Sequence, residues 1–221
     1  MGLQFKRSSI SDSCLYAGGR GEKEPVKKSR YPIYDDEIRE LSYSPYNFFD
    51  KWFMKATRKL TTPTLLSYTF YVPVSEYLRG ELFCDDVTEA ANEPFTHIDL
   101  VTLLLDDFLY QAKRRSNPVE LYHELTTRSQ KAIKITSYHE EEDAIFPPAN
   151  SPKKKMIKCL INRKQALRLE VMLSDIAELD LEYSFEVKDV LRMLYSDFIL
   201  QYKNGNLSNV VDNIIQRLSS Q

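Results

Sequence analysis

Glycine is scarce in this chain, with six among 221 residues. None of them builds a glycine-rich phosphate loop or a nucleophile elbow, and no kinase signature is present. Cysteine is scarcer still: Cys14, Cys84 and Cys159 are an odd, widely spaced set without a CxxC pair. That excludes a disulfide framework and makes a reducing cytoplasm the expected setting. His97, His123 and His139 are isolated, with neither an HExxH motif nor a zinc-ligand spacing around them. No apolar run approaches membrane-spanning length, and the start MGLQFKRSSI lacks the apolar stretch of a signal peptide, so no membrane partner is expected. The net charge of -2 excludes a strongly basic coat but leaves room for a local basic face. Neither an enzyme nor a bound cofactor is expected from these absences. Asp85-Asp86 and Asp106-Asp107 are adjacent acids that diverge by about 100° on a helix, which suits solvated faces better than a metal.

What the chain does have is a resemblance to itself. Phe95–Lys113 lies over Phe185–Lys203 without a gap. Phe95, Asp99, Leu104, Asp107, Phe108, Gln111 and Lys113 meet identical residues at Phe185, Asp189, Leu194, Asp197, Phe198, Gln201 and Lys203. Unrelated stretches of this length share about one or two identities. An internal repeat changes the fold question, because two copies of one unit would pack as a pseudo-symmetric pair.

Five segments follow from the patterning. Residues 1–30 are polar and punctuated, and read as a flexible, locally basic tail. Residues 31–64 are aromatic-rich; Ser44-Pro45 opens a helix whose apolar face holds Phe48, Phe49, Trp52, Phe53 and Ala56. Residues 65–130 form a first repeat: a strand through Ser67–Val72, a helix Ser75–Val87, a helix from Thr96 to about Arg114, and a short helix after Asn117-Pro118. Residues 131–154, with the acidic run Glu140–Asp143 and Pro147-Pro148, are a linker. Residues 155–221 repeat the order: a strand Lys155–Ile161, a helix capped by Asn162, the matched helix Phe185–Lys203 and a closing helix Ser208–Leu218. Strands align at an offset one residue smaller than the helices. The fold class expected is mainly α with two short strands, a tandem strand-helix-helix-helix repeat forming a pseudo-twofold core.

Tyr68-Thr-Phe-Tyr-Val-Pro73 and Met156-Ile-Lys-Cys-Leu-Ile-Asn162, each followed by two helices, resemble the ribbon-helix-helix family of DNA-binding proteins, of MetJ, Arc and CopG type. Two copies in one chain resemble its tandem, TraY-like members. The resemblance covers about half the chain. It departs from the family in lacking glycine between the helices of the second copy, in its extra third helices and in a ribbon carrying little charge.

A lone strand leaves both edges unsatisfied, so two copies are expected to pair their strands antiparallel. Tyr68, Phe70 and Val72 should then face inward with Ile157, Cys159 and Ile161. Ser67, Thr69 and Tyr71 should face outward with Met156, Lys158 and Leu160. The resemblance implies a non-enzymatic double-stranded DNA-binding protein, a transcriptional regulator or a plasmid, phage or conjugation accessory factor. It would be cytoplasmic and associated with the nucleoid. In that reading Thr69, Tyr71, Lys158 and Leu160 contact bases in the major groove. Thr96 and Ser184, at the starts of the second helices, contact phosphate through free amides. Lys153, Lys154, Lys155, Lys27, Lys28 and Arg30 add phosphate contacts. The alternative is a helical protein-protein adaptor, in which Phe48, Trp52 and Phe53 or an apolar strand face docks a partner or a second copy.

Overall fold

The computed structural model describes residues 29–43, 49–50, 52–53, 57, 62–115, 117–128, 153–179 and 185–219. The described residues are mainly helical, with one two-stranded antiparallel sheet. The elements are α1 (Pro32–Ser42), β1 (Leu65–Pro73), α2 (Val74–Ala91), α3 (His97–Arg115), α4 (118–128), β2 (Lys154–Asn162), α5 (Arg163–Leu179), α6 (Val187–Lys203) and α7 (Val210–Leu218).

The two strands are paired along their whole length, from Leu65 opposite Asn162 to Pro73 opposite Lys154. Each runs straight into a helix. Pro73 ends β1 because it has no N–H for the ladder, and its fixed φ suits a helix entry. Asn162 ends β2 by capping α5: its side chain accepts the Lys164 amide at 2.9 Å, and Gln165 reaches back to the Asn162 amide at 3.2 Å. The two junctions are tied to the opposite strand in the same way. The Val74 amide donates to the Lys153 carbonyl, and the Arg163 amide donates to the Thr64 carbonyl.

The second helices begin alike. Asp99 accepts the Thr96 amide at 2.8 Å, and Asp189 accepts the Glu186 amide at 3.0 Å. Asn92, in the left-handed region at φ 56, turns the chain after α2. Gly205, at φ 69, turns it after α6. From α5's start to α6's start the chain is one residue longer than from α2's start to α3's. The one-residue slip between the strand and helix alignments therefore lies in that helix-to-helix passage, while both strands have nine residues.

The core lies beneath the ribbon. β1 supplies Phe70 and Val72; β2 supplies Ile157, Cys159 and Ile161. Under them α3 packs on β2 and α6 on β1, and the two helices pack on each other. Leu100, Leu105, Val190 and Leu191 are among their buried residues. Cys84 and Cys159 serve as small apolar fillers, and burial pushes their thiols up to about 12 and about 11. Asp107 and Asp197 are bound by arginines of the opposite half. Arg217 from α7 pairs with Asp107 in α3, and Arg128 from α4 pairs with Asp197 in α6.

Two helix faces differ from the sequence pattern. Tyr77, Leu78, Leu82 and Phe83 read as one apolar face of α2, yet Leu78 and Leu82 are 53% and 55% exposed. The core side is instead Gly80, Phe83, Cys84 and Val87. Gly80 sets this rotation: without a side chain it lets the Tyr195 ring of α6 lie directly on the α2 backbone. In α5 the sequence pattern gives an apolar face of Leu167, Leu169, Met172, Leu173, Ile176 and Leu179, but the buried strip includes a carboxylate, Glu170, and Leu179 is 52% exposed.

Helix α1 lies within the segment 31–64, ahead of the helix start expected at Ser44-Pro45. It starts at Pro32 in the first turn and packs on α5. Glu170 accepts the amides of Ile33 (2.8 Å) and Tyr34 (2.9 Å), so a carboxylate from another helix satisfies α1's first orphan donors. The Tyr31 hydroxyl donates to the carbonyls of Leu173 and Phe185. Glu37 pairs with Arg163 at the far end of the contact.

Candidate nucleic-acid interface

Alternation along the paired strands separates two faces. Phe70 and Val72 are buried and Tyr68 is half-buried, as are their neighbours across the ribbon Ile157, Cys159 and Ile161 in full. Burial pushes the Tyr68 phenol up to about 12. On the other face Thr69 stands opposite Lys158, Tyr71 opposite Met156 and Ser67 opposite Leu160. The inward and outward sets are those that alternation in the sequence predicts.

The four residues expected to contact bases thus share one surface. Lys158 is exposed and Thr69 half-buried at its centre. Around them Leu65, Tyr71, Met156 and Leu160 are 53%, 56%, 52% and 43% exposed. This face is largely apolar, with one central cation.

The expected phosphate contacts divide. Lys154 has the outward parity of Lys158 and lies at the ribbon end beside Pro73. Lys155 has the inward parity, and its Nζ sits 5.3 Å over the Tyr77 ring of α2. Lys153 precedes the strand, with its carbonyl held by Val74. Thr96 offers no free amide of its own, because Asp99 accepts both its N–H and its hydroxyl. A carboxylate thus already occupies the start of α3, which weakens it as an anion site. Arg30 is exposed before α1, which packs on α5. Ser184, Lys27, Lys28 and Phe48 lie outside the described residues. Trp52 and Phe53 are helical, 66% and 64% exposed.

Sequence reading missed two cations. At the Leu65 end of the ribbon a shallow groove runs between the outward face and α3. Its lining includes Leu65, Leu160, Asn162, Lys164 and Arg168. Lys164 and Arg168 are exposed one turn apart in α5. Their signal was the basic start of the helix, Asn162-Arg-Lys-Gln-Ala-Leu-Arg168, immediately after a strand.

A second constellation lies under α2. The Tyr195 hydroxyl is 3.2 Å from His97 Nδ1, and the Tyr77 ring lies 4.6 Å from the imidazole. His97 Nε2 is buried with no partner among the described residues. Burial pulls the His97 pKa down, against the raising pull of Glu81 and Asp85. Among the described residues no group of three or more His, Cys, Asp or Glu could hold a metal ion, and no helix is long and apolar enough to cross a membrane. Compared with protein-family models, curated proteins and solved structures, the chain matches none of them.

Proposed function

We propose that this chain is a single-chain ribbon-helix-helix protein that binds double-stranded DNA by laying its ribbon in the major groove. The observation that carries the reading is the ribbon itself: two antiparallel strands, each entering a helix directly, with one face in the core and the other presented to solvent. A two-stranded ribbon of this kind fits the major groove of B-DNA.

A duplicated unit with a pseudo-twofold core is supported by contacts that recur in reverse. Val74–Lys153 recurs as Arg163–Thr64. Gln165 in α5 donates to Asp106 in α3, and Ser196 in α6 donates to Glu76 in α2. Arg128–Asp197 recurs as Arg217–Asp107. Such swapped pairs are what two copies related by a twofold axis would make.

In the groove, Lys158 would donate to guanine O6 and N7 and Thr69 would act as a small donor-acceptor. Tyr71, Met156 and Leu160 would lie against thymine methyls and sugars. Lys153, Lys154, Lys164 and Arg168, at the two ends of the ribbon, would carry phosphate contacts. Four such contacts predict a log K against log salt slope of about -3.6.

Fluorescence anisotropy with random duplex between 50 and 300 mM salt tests this. The expected result is steep weakening; no binding, or binding indifferent to salt, would sink it. Lys158→Ala should relax sequence preference at one position, by about 1–3 kcal/mol of discrimination. Replacing Lys153 and Lys154 should weaken all sequences alike and flatten the slope by about 2. One observation favours the second reading, a protein-protein adaptor: the exposed apolar quartet Leu65, Tyr71, Met156 and Leu160 on the same face. That reading gains if the duplex does not bind.

A further inference from the structure

We infer that the outer face of α2 is a self-association site, which takes the aromatic helical stretch around Trp52–Phe53 from a second copy of the chain. The inference rests on reading the two halves as copies of one unit. Superposed by that reading, α2 corresponds to α5, Leu78 to Leu167, Glu81 to Glu170 and Leu82 to Val171. On α5 this face is covered by α1, and Leu167, Glu170 and Val171 are buried or half-buried. On α2 the same face is bare: Val74, Leu78 and Leu82 are 44%, 53% and 55% exposed. These three lie four residues apart and form one strip. Glu81, at the position where Glu170 holds α1, is exposed.

Charge indicates the occupant. Beside this strip α2 exposes Glu81, Asp85 and Glu89, while Glu76 and Asp86 accept the hydroxyls of Ser196 and Tyr202 of α6, and the helix has one cation, Arg79. Two such faces repel, so α2 does not suit α2 of a second copy. The stretch 49–59 is the complement: Lys51, Lys55, Arg58 and Lys59 against Asp50, with Trp52 and Phe53 exposed on it. A basic stretch with aromatic anchors suits an acidic strip with an aliphatic centre.

Topology points to a second copy rather than the same chain. The stretch leaves α1, which is pinned to Arg163 by Glu37, and returns to Leu65, opposite Asn162. Both ends are therefore at one end of the ribbon. α2 starts from the other end, about 27 Å away at 3.3–3.4 Å per strand residue. Within one chain Trp52 and Phe53 stay 66% and 64% exposed while Leu78 and Leu82 stay 53% and 55% exposed, so the stretch is not seated on the α2 of its own chain.

The test is the mass and the tryptophan emission of the full-length chain, without DNA. Trp52 is the sole tryptophan. Light scattering should show a dimer or larger species growing over micromolar concentrations, with Trp52 emission shifting to the blue in step. Half-molar salt should weaken it about tenfold or more. Trp52→Ala/Phe53→Ala and Leu78→Asp/Leu82→Asp change exposed residues only, and each chain should be monomeric. Mixed in equal amounts they should form a heterodimer, since one keeps the strip and the other the aromatic stretch. A wild-type chain that stays monomeric, even with Trp52 shielded, overturns the proposal. So does assembly that survives the aromatic double substitution, or mixed variants that fail to pair although the wild type assembles. Because DNA is absent, failure here leaves the DNA reading standing, and a failed duplex titration leaves this one standing.

Discussion

Gly80→Ala is the sharpest probe of the core. In an ordinary helix interior this change stabilises by about 1 kcal/mol, because alanine is the better helix former. Here the new Cβ would lie 1.9 Å from the Tyr195 hydroxyl oxygen, 2.9 Å from its Cζ and 3.0 Å from His97 Cε1. Tyr195 is 0% exposed, so its ring would have to shift within the packed core. Overpacking costs about 1–3 kcal/mol. Driving the hydroxyl off His97 Nδ1 strands a second imidazole nitrogen beside the partnerless Nε2, for a further 1–3 kcal/mol or so. Set against the helix gain, the net loss should be about 1–5 kcal/mol. Melting should fall by about 2–4 °C per kcal/mol lost for a chain of this size. The assay is urea unfolding of the four members of a cycle with Tyr195→Phe. Removing the hydroxyl abolishes the shortest contact, so the alanine should cost about 1 kcal/mol less, or better, in the Phe background. A stabilised Gly80→Ala chain would refute the reasoning. So would a coupling within about 0.5 kcal/mol of zero, the range expected of independent sites.

Glu170→Ala should loosen α1 selectively. It strips two buried amides of their acceptor, about 1–3 kcal/mol, and hydrogen exchange at Ile33 and Tyr34 should accelerate while the ribbon amides keep their protection. Acidification should cost stability through His97. Its pKa is lower in the folded chain than the ordinary 6.5, so the unfolded chain takes up the proton first, and stability falls as pH drops below about 6.5. Glu81 and Asp85 oppose this by favouring the charged ring. His97→Gln should flatten urea-derived stability between pH 7.5 and 5.5; an unchanged slope contradicts the assignment. Glu170 acts with the opposite sign. Burial raises its pKa, so protonation near and above pH 4.5 favours the fold, and that contribution vanishes in Glu170→Ala.

Much of the element order was legible in the sequence because local chemistry marked each boundary. Pro73, Asn162, the Thr96–Asp99 pair and Gly205 stop or start the elements where their backbone preferences require. Alternation in Tyr68–Val72 and Ile157–Ile161 was enough to divide the ribbon faces. What local pattern did not carry was the choice among competing apolar faces. α2 has apolar residues on two sides, and only the contact between Gly80 and Tyr195, more than a hundred residues apart, decides which one is buried. The same holds for α1. Its core residue is Ile33, and its anchor is a carboxylate in α5, a residue type that reads as solvent-facing until its two amide partners are seen. The two added cations, Lys164 and Arg168, become part of the candidate interface only once the register brings Leu65 beside Asn162.

The pairing of β1 with β2 also sets a timetable for synthesis. The ribbon closes only when Asn162 has followed Leu65 out of the ribosome. At roughly 5–20 residues per second, β1 waits about 5–19 s for its partner. Throughout that wait it is a nascent strand with two open edges and Phe70 and Val72 uncovered, the state most prone to capture by a neighbouring chain on the same message. The contacts that would end the wait are of the long-range kind that form slowly. A product cut short before β2 owns no ribbon, however well its first helices form, so any activity the ribbon carries is withheld until most of the chain has been made.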